Sequence, residues 1–221
     1  IGDIDFGSGT ASFTGTSTFT LNGTGATFTI GNLKFNDASH DGGITVNGAG
    51  NTLVLGGYQL LQSGAQGHSQ TVAGDGNVLI TGAVINGGTS SQNLKYNGTG
   101  VLTLAATNTY GGTTTILSGT IQVGNGGATG DLGTSSSNIA NSGTLAFNRS
   151  DDLTWTRLVS GSGDLIQKGP DTLTLSAANT LSGQTSVTGG KLILANALAL
   201  QNSAILVPTT AGGSTGMLQF D

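Results

Sequence analysis

This sequence of 221 residues lacks several residue types that most proteins contain. It has no cysteine, which excludes a disulfide framework and metal sites made of thiolates. All eleven acidic residues are aspartate, so glutamate is absent, and lysine and arginine together number six. Because glutamate, lysine and arginine are good helix formers, their scarcity argues against a helical protein. The chain also has no run of 18 apolar residues, so nothing in it spans a membrane as a helix.

The small number of charges limits the partners of this chain. The formal net charge is -5 and the sequence pI is about 4.6. Nucleic-acid binding depends mostly on clustered lysine and arginine that neutralise phosphates, and the six basic residues form no such cluster. We therefore predict no nucleic-acid partner, and an anionic membrane surface is an unsuitable partner for the same reason.

Glycine is abundant, with 40 residues set among regularly spaced apolar residues. It does not recur at every third position and only two residues are proline, so a collagen helix is excluded. Apolar residues lie two positions apart in many short stretches, such as Val78 and Ile80 or Leu145 and Phe147, which indicates strands with one buried face. Clusters of glycine, asparagine and aspartate between these stretches are typical of turns. The chain is therefore predicted to be folded and all-β.

One stretch of the sequence occurs twice. Residues 102–123, LTLAATNTYGGTTTILSGTIQV, return as residues 173–194, LTLSAANTLSGQTSVTGGKLIL, with nine of 22 positions identical and no gap. The positions that we predict to be structural are Leu102, Leu104, Asn108, Gly112, Ile116 and Gly119 in the first copy, and Leu173, Leu175, Asn179, Gly183, Val187 and Gly190 in the second. Such a repeat is typical of a stacked fold in which each unit buries its apolar face against the next.

The repeat also suggests how the chain is organised. We interpret residues 1–221 as a single segment, with repeat units at about 50–123 and 143–194. Matching stretches upstream of the two copies lie at an offset of 92 positions, compared with 71 for the copies themselves, so the first unit contains extra residues. We place this insertion at 56–76 and interpret it as a loop on one side of the stack, where a partner is expected to bind.

Two all-β folds fit this pattern. An antiparallel sandwich also has many short strands with turn signals between them, about 8 to 12 residues apart. The predicted strands show no alternation of lengths that would indicate hairpins. In addition, Asn108 and Asn179 follow strands, where side-chain amides can hydrogen-bond between successive coils of a solenoid. These two observations favour a parallel β-helix, with a sandwich as the alternative.

The motif G-x-G-x-L-T-L-x-x-x-N-T-Y-x-G-x-T-x-I/V-x-x-G-x-L/I-x-V runs through residues 98–123 and, less fully, through residues 169–194. It resembles the autotransporter-associated β-strand repeat of passenger domains in type V secreted bacterial proteins. The second copy departs from the pattern at Leu181, which replaces tyrosine, and at Pro170, which replaces alanine. The resemblance covers residues 50–221 well and the preceding residues only in general style.

This resemblance implies a fold and a location. The implied fold is a right-handed parallel β-helix. The implied location is extracellular or at the cell surface of a Gram-negative-type bacterium. A membrane β-barrel that carries the passenger through the outer membrane is expected C-terminal to this segment, which would be a piece of a longer passenger. Because the repeat marks the secretion scaffold and not an activity, fold and location transfer better than function.

Few residues are candidates for chemistry. His40 lies between two aspartates and could meet a metal ion with them, but a glycine-flanked turn of this kind is more often a solvated loop. Asp151, Asp152 and Asp164 could form the paired carboxylates that glycosidases or lyases use. Aspartate at strand ends is more often a turn residue, however. We therefore expect no catalytic residues, no cofactor and no bound metal.

Two hypotheses for the function follow. The first is a structural, surface-displayed β-solenoid that is a stalk, an adhesin scaffold or a fibre subunit, and not an enzyme. Its partners would be other copies joined end to end, or a ligand on a host or matrix surface. The alternative is a polysaccharide-active enzyme or another ligand-binding passenger on the same β-helix.

Overall fold

The computed structural model describes residues 4–5, 10–13, 18–35, 42–60, 68–134, 138–207 and 216–220. Within these residues the chain forms strands and no helix. In chain order the strands are β1 (Ile4–Asp5), β2 (Thr10–Phe13), β3 (Thr18–Asn22), β4 (Thr27–Phe35), β5 (Gly42–Asn47), β6 (Thr52–Gln59), β7 (Ser69–Gly74), β8 (Asn77–Ile80), β9 (Val84–Ile85), β10 (Asn93–Leu104), β11 (Thr114–Val123), β12 (Ile139–Asn141), β13 (Thr144–Phe147), β14 (Leu153–Trp155), β15 (Val159–Gly161), β16 (Asp164–Gln167), β17 (Thr172–Leu175), β18 (Thr180–Leu181), β19 (Gln184–Val187), β20 (Lys191–Leu194), β21 (Ala204–Leu206) and β22 (Met217–Phe220).

Each coil of the chain passes through three stacks of parallel strands, which we call faces 1, 2 and 3. Face 1 is traced by the residues that pair from coil to coil, namely Ile4, Phe28, Leu53, Val78, Leu102, Ile121, Leu145, Leu165, Thr185 and Ile205. Face 2 contains β2, the second halves of β4 and β6, β9, and then β14, β17, β20 and β22. Face 3 contains β3, β5, β7, the first parts of β10 and β11, and then β12, β15 and β18. The expected all-β parallel β-helix is confirmed, because a sandwich would need antiparallel pairs.

The early coils are longer than the late ones. On face 1, Phe28 pairs with Leu53 in the early part of the rod. In the late part, Leu145 pairs with Leu165, which is a shorter step along the chain. Hydrogen bonds between neighbouring coils show the same two lengths, since they join side chains 25 positions apart early in the rod and groups 20 positions apart late in it.

The interior of the rod is apolar in both regions. Burial alternates along strands such as β8, β17 and β20, so every second side chain points inward. Leu53 in a long coil and Leu165 in a short one are both 0% exposed. Each fully buried leucine contributes about 1.5–3 kcal/mol, so the apolar stack, and not the few charges, holds the coils together.

Glycine forms the turn from face 3 to face 1 along much of the rod. We call this stack the glycine corner, and it consists of Gly74, Gly98, Gly119, Gly143, Gly163 and Gly183. A Cβ atom added to any of these glycines would collide with a carbonyl oxygen of the preceding coil. From Gly98 onward, that oxygen belongs to the preceding glycine of the corner. Only a residue without a side chain lets successive coils approach to strand-pairing distance at this turn.

Each copy of the repeat forms one complete coil. Leu102 pairs with Ile121 in the first copy, and Leu173 pairs with Leu192 in the second, so each copy ends on the strand stacked next to its own first strand. The first copy begins on face 1, whereas the second begins on face 2. The two copies therefore follow the same path but are rotated by one face relative to each other.

The insertion at 56–76 is not a loop over its whole length, which corrects the interpretation made from the sequence. Residues 57–59 continue β6 on face 2, and residues 69–74 form β7 on face 3. The insertion thus adds two faces of a coil, and two added faces rotate everything after them by one face relative to the second unit. Residues 61–67, between β6 and β7, lie outside the described part of the chain.

A single methyl group added at the glycine corner should lower the stability of the fold. In Gly143→Ala, the added Cβ would lie 2.5 Å from the carbonyl oxygen of Gly119 and 3.0 Å from a side-chain carbon of Ile116. Both neighbours are held in strands, so the coils must shift apart. We expect a loss of about 1–3 kcal/mol of stability, measured as a lower midpoint of urea or thermal unfolding by circular dichroism.

Gly127→Ala is the matched control for this substitution. A Cβ at Gly127 would have nothing within 4 Å, so its effect should stay within about 0.5 kcal/mol. If both variants unfold at the wild-type midpoint, the close approach of coils at the glycine corner is not a constraint on the fold.

Candidate functional surface

Asn108 connects three successive coils through its side chain. It is 1% exposed, as is its equivalent Asn179 in the second copy. Its Oδ1 accepts a hydrogen bond from the amide of Val84 in the coil before, and its Nδ2 donates to the carbonyl of Asp131 in the coil after, both at 2.7 Å. Asn179 makes the equivalent two bonds, at 2.8 and 2.9 Å. Since the two asparagines lie in copies rotated by one face, this contact belongs to the repeat and not to one face of the rod.

The other residues singled out in the repeat lie in the core or against the preceding coil. The buried apolar ones, each 0–1% exposed, are Leu102, Leu104, Ile116, Leu173, Leu175 and Val187. The glycines, at each of which a Cβ would collide with a carbonyl oxygen of the preceding coil, are Gly112, Gly119, Gly183 and Gly190. These positions shape the scaffold and present no reactive group to solvent.

Two of the aspartates considered as a carboxylate pair are each engaged with a partner of their own. Asp152 accepts a hydrogen bond from the amide of Thr172 at 3.0 Å, and Asp164 accepts one from the amide of Gln184 at 2.7 Å. Both bonds run to the next coil, 20 positions on. The side chains therefore act as Asn108 does, by satisfying a backbone donor of a neighbouring coil.

Both arginines of the chain hold one segment, residues 124–134, which occupies face 2 without forming a strand. The guanidinium groups of Arg149 and Arg157 donate to the carbonyl oxygens of Ala128, Gly130, Leu132 and Gly133, at 2.6–3.1 Å. Arg149 also forms an ion pair with Asp151, at 2.6 Å. Its hydrogen bonds hold the pKa of the Asp151 carboxyl below the usual value. The third candidate aspartate is therefore part of a structural clamp.

The aromatic side chains near the candidate aspartates, Phe147 and Trp155, are part of the core, as are Tyr96 and Tyr110. Trp155 is 4% exposed and meets Phe147 edge-on, with 4.9 Å between ring centroids. The guanidinium carbon of Arg157 lies 4.8 Å from the centroid of the Trp155 ring. Burial raises the pKa of Tyr96 to about 12, and it raises the pKa of Tyr110 further, so neither phenol loses its proton near neutral pH.

The histidine considered as a metal ligand, His40, lies outside the described residues, as do the two aspartates beside it. In the described part of the chain, no group of three or more histidine, aspartate or glutamate residues is placed to hold a metal ion. The same residues contain no helix of the length and apolar character needed to cross a membrane.

Of the large apolar side chains that are exposed among the described residues, most lie on the last described coil. They are Leu198, Ile205, Leu206, Met217 and Phe220, with exposed fractions from 40% for Ile205 to 70% for Phe220. Two further ones, Ile85 and Leu117, lie elsewhere. An apolar patch of this kind on one coil marks a surface suited to contact with another protein surface.

A groove on face 2 is a feature that sequence reasoning missed. It has a volume of about 240 Å³. Its walls come from three successive coils and include Asn32, Lys34, Tyr58, Gln59, Ala83 and Ile85. Lys34 pairs with Gln59, and Gln59 pairs with Ile85, so these three side chains stand in one column across the coils. In the sequence these residues are separated by one coil length. This spacing can be recognised only when the coil length is known.

Comparison with known proteins agrees with this geometry. A family model described as the passenger-associated-transport repeat matches residues 94–123 and 165–194. The chain is 39% identical over 88 residues, 40% of its length, to the adhesin BmaC autotransporter of Brucella suis biovar 1 (strain 1330). Those residues make up 2% of that protein, so the chain spans only a small part of this relative. No solved structure matches the chain significantly.

The two family matches describe the same path on the rod. The first begins on face 3 at Leu94, and the second begins on face 1 at Leu165. Both run through one complete coil, which closes where Leu94 pairs with Thr114 and Leu165 pairs with Thr185, and both continue over one further face to Val123 and Leu194. The family motif therefore specifies a coil, independent of the face on which the coil starts.

Removal of one bridging asparagine side chain should be costly. In Asn179→Ala, the amide of Val159 and the carbonyl of Ala199 would both lose their partner inside the rod, where both residues are 0% exposed. An unsatisfied buried group costs about 1–3 kcal/mol, so we expect a loss of about 2–6 kcal/mol for the two groups. The measurement is the free energy of urea unfolding, with amide hydrogen exchange to locate the effect.

Asn125→Ala provides the control, because Asn125 is exposed in the segment held by the arginines. Its unfolding should match that of the wild type. Equal unfolding of the Asn179 and Asn125 variants would show that the bridging hydrogen bonds do not stabilise the stack.

Proposed function

Since this chain is an autotransporter passenger repeat protein, we propose that it serves as a rigid spacer within a surface-displayed passenger, where it holds other parts of that passenger away from the cell. The observation that carries this proposal is the uninterrupted stack of inward residues on face 1, which runs from Phe28 to Thr185. Each coil adds about 4.8 Å to such a stack. Each repeated coil in the sequence therefore adds length to the rod.

The use of polar side chains supports the same role. Within the described part of the chain, several aspartates and asparagines that could carry chemistry instead bond to a neighbouring coil, as described for Asp152, Asp164, Asn108 and Asn179. The relative from Brucella is named an adhesin, which agrees with a non-enzymatic role. A passenger of this kind would be displayed at the bacterial surface.

Whole-coil changes in length test the spacer role. Deletion of residues 145–204 joins Thr144 to Ile205, which lie in consecutive positions of the face 1 register, and removes three coils. Duplication of the same residues adds three coils. An epitope placed before residue 1 in the displayed passenger should then lie about 14 Å nearer to the cell, or about 14 Å farther from it, as measured by electron cryotomography of antibody-labelled cells.

Deletion of residues 145–154 is the out-of-phase control. It removes half a coil, so the strands that follow would meet the wrong stack, and the segment should fail to fold. If neither whole-coil change alters the height of the epitope above the cell while the proteins remain folded, the segment does not set the length of the passenger.

We also propose that isolated copies of this chain associate end to end through the last described coil. β21 and β22 each pair with one strand only among the described residues, and the coil that contains them exposes the apolar side chains named above. Unpaired strand edges with apolar neighbours favour addition of another strand. Head-to-tail contacts between identical rods would produce an open filament.

Charge substitutions on this coil should block the association. In a variant with Met217→Lys and Phe220→Lys, both side chains are exposed, at 56% and 70%, so the fold should be kept while the ammonium groups repel the partner coil. We expect the wild type to grow in mass with concentration in multi-angle light scattering and the variant to stay monomeric. Leu117→Lys, at a site 48% exposed on face 3, is the control that should still associate. A monomeric wild type at high concentration would contradict this proposal.

A further inference from the structure

The groove on face 2 is rigid at its base. Gly57 has no side chain to fill it, and a Cβ there would lie 2.5 Å from Oδ1 of Asn32. The backbone beneath is held by hydrogen bonds from the amide of Tyr58 to the carbonyl of Ala83, at 3.1 Å, and from the amide of Leu60 to the next coil. The Tyr58 side chain is 1% exposed, and its hydroxyl donates a hydrogen bond to Gln70. The groove therefore exists before any ligand arrives.

Three polar side chains at this groove are not used by the scaffold. Among the described residues, no hydrogen bond or ion pair is made by the side chains of Asn32, Lys34 or Gln59. Elsewhere along the rod, several side chains of the same types are engaged. Asparagines bridge coils, and Lys168 and Lys191 donate to glutamines at 3.2 and 3.4 Å. The groove thus gathers one ammonium group and two amides that have no structural task.

The chemistry of the groove specifies the class of ligand. One ammonium group matches one carboxylate, and two side-chain amides can donate to and accept from neighbouring hydroxyls. Ile85, which is 37% exposed, offers an apolar surface for the C–H face of a ring. The volume of about 240 Å³ is of the size that one sugar unit needs. A sugar unit with one carboxylate satisfies all of these groups.

We propose that the groove binds one uronate unit of an acidic polysaccharide. Lys34 pairs with the uronate carboxylate, Asn32 and Gln59 bind its hydroxyls, and Ile85 packs against the ring. This site goes beyond the spacer role and is independent of it, because loss of binding would leave the length of the rod unchanged. It also places recognition on three stacked coils, so the ligand would be held by the stack and not by a loop.

Titration calorimetry of the full chain with trigalacturonate tests the proposal. Its methyl ester is the matched probe, since it keeps every sugar group but removes the negative charges. We expect trigalacturonate to bind at least tenfold more tightly than the ester. Lys34→Gln should remove that difference, whereas Lys95→Gln, a lysine on face 3, should leave it intact.

Substitution of the groove floor provides a second measurement that does not depend on charge. Gly57→Ala would place a methyl group against the Asn32 amide, which is the end of a flexible side chain, so folding should be kept. We expect at least tenfold weaker binding of trigalacturonate, with Gly127→Ala as the control. Equal affinity for the acid and the ester, wild-type affinity in Lys34→Gln, or no binding of trigalacturonate at millimolar concentration would each overturn the proposal.

Discussion

The close approach of consecutive coils at the glycine corner is the constraint on which the rest of this structure depends. Parallel strands pair at a fixed spacing of about 4.8 Å, and at the turn from face 3 to face 1 the backbone of one coil lies against the carbonyl groups of the coil before it. A Cβ at Gly119 or Gly143 would lie 2.5 Å from such a carbonyl oxygen. Glycine is therefore required at this corner in coil after coil, which is one reason why this chain contains 40 glycines without being disordered.

A second constraint is that buried backbone groups near the turns need hydrogen-bond partners. At the starts of some strands, a backbone donor faces the neighbouring coil without a backbone partner, and burial makes an unpaired group costly. Asn108, Asn179 and Asp164 supply the missing partners. Where face 2 lacks a strand, Arg149 and Arg157 supply four. Most polar side chains that an enzyme would use for chemistry are thus used for stacking, and this explains how a chain with so few charges remains well organised.

The sequence was sufficient to predict the strands, the coil and the stack, because these depend on local patterns. Period-two apolar residues and the recurrence of Asn108 as Asn179 carry that information without any knowledge of long-range pairing. The phase of the repeat could not be predicted in the same way. The three faces have similar sequences, so an insertion of two faces at 56–76 is indistinguishable from a loop until the register is known. The groove escaped prediction for a related reason, since Lys34, Gln59 and Ile85 share no local motif and become neighbours only through the register of face 2.

The difference in coil length also bears on where recognition is placed. In the regular late coils, Asp152 and Asp164 each accept a hydrogen bond from the backbone amide 20 positions on. These side chains therefore join one coil to the next. In the longer coils, polar side chains such as Asn47 also bond to the neighbouring coil. Lys34 and Gln59 lie on paired strands of face 2, and their side chains make no hydrogen bond or ion pair among the described residues. Both kinds of coil therefore provide length, and the groove on three of the longer coils adds polar side chains that the stack does not use. A passenger built from both kinds of coil can combine reach with recognition in one continuous stack.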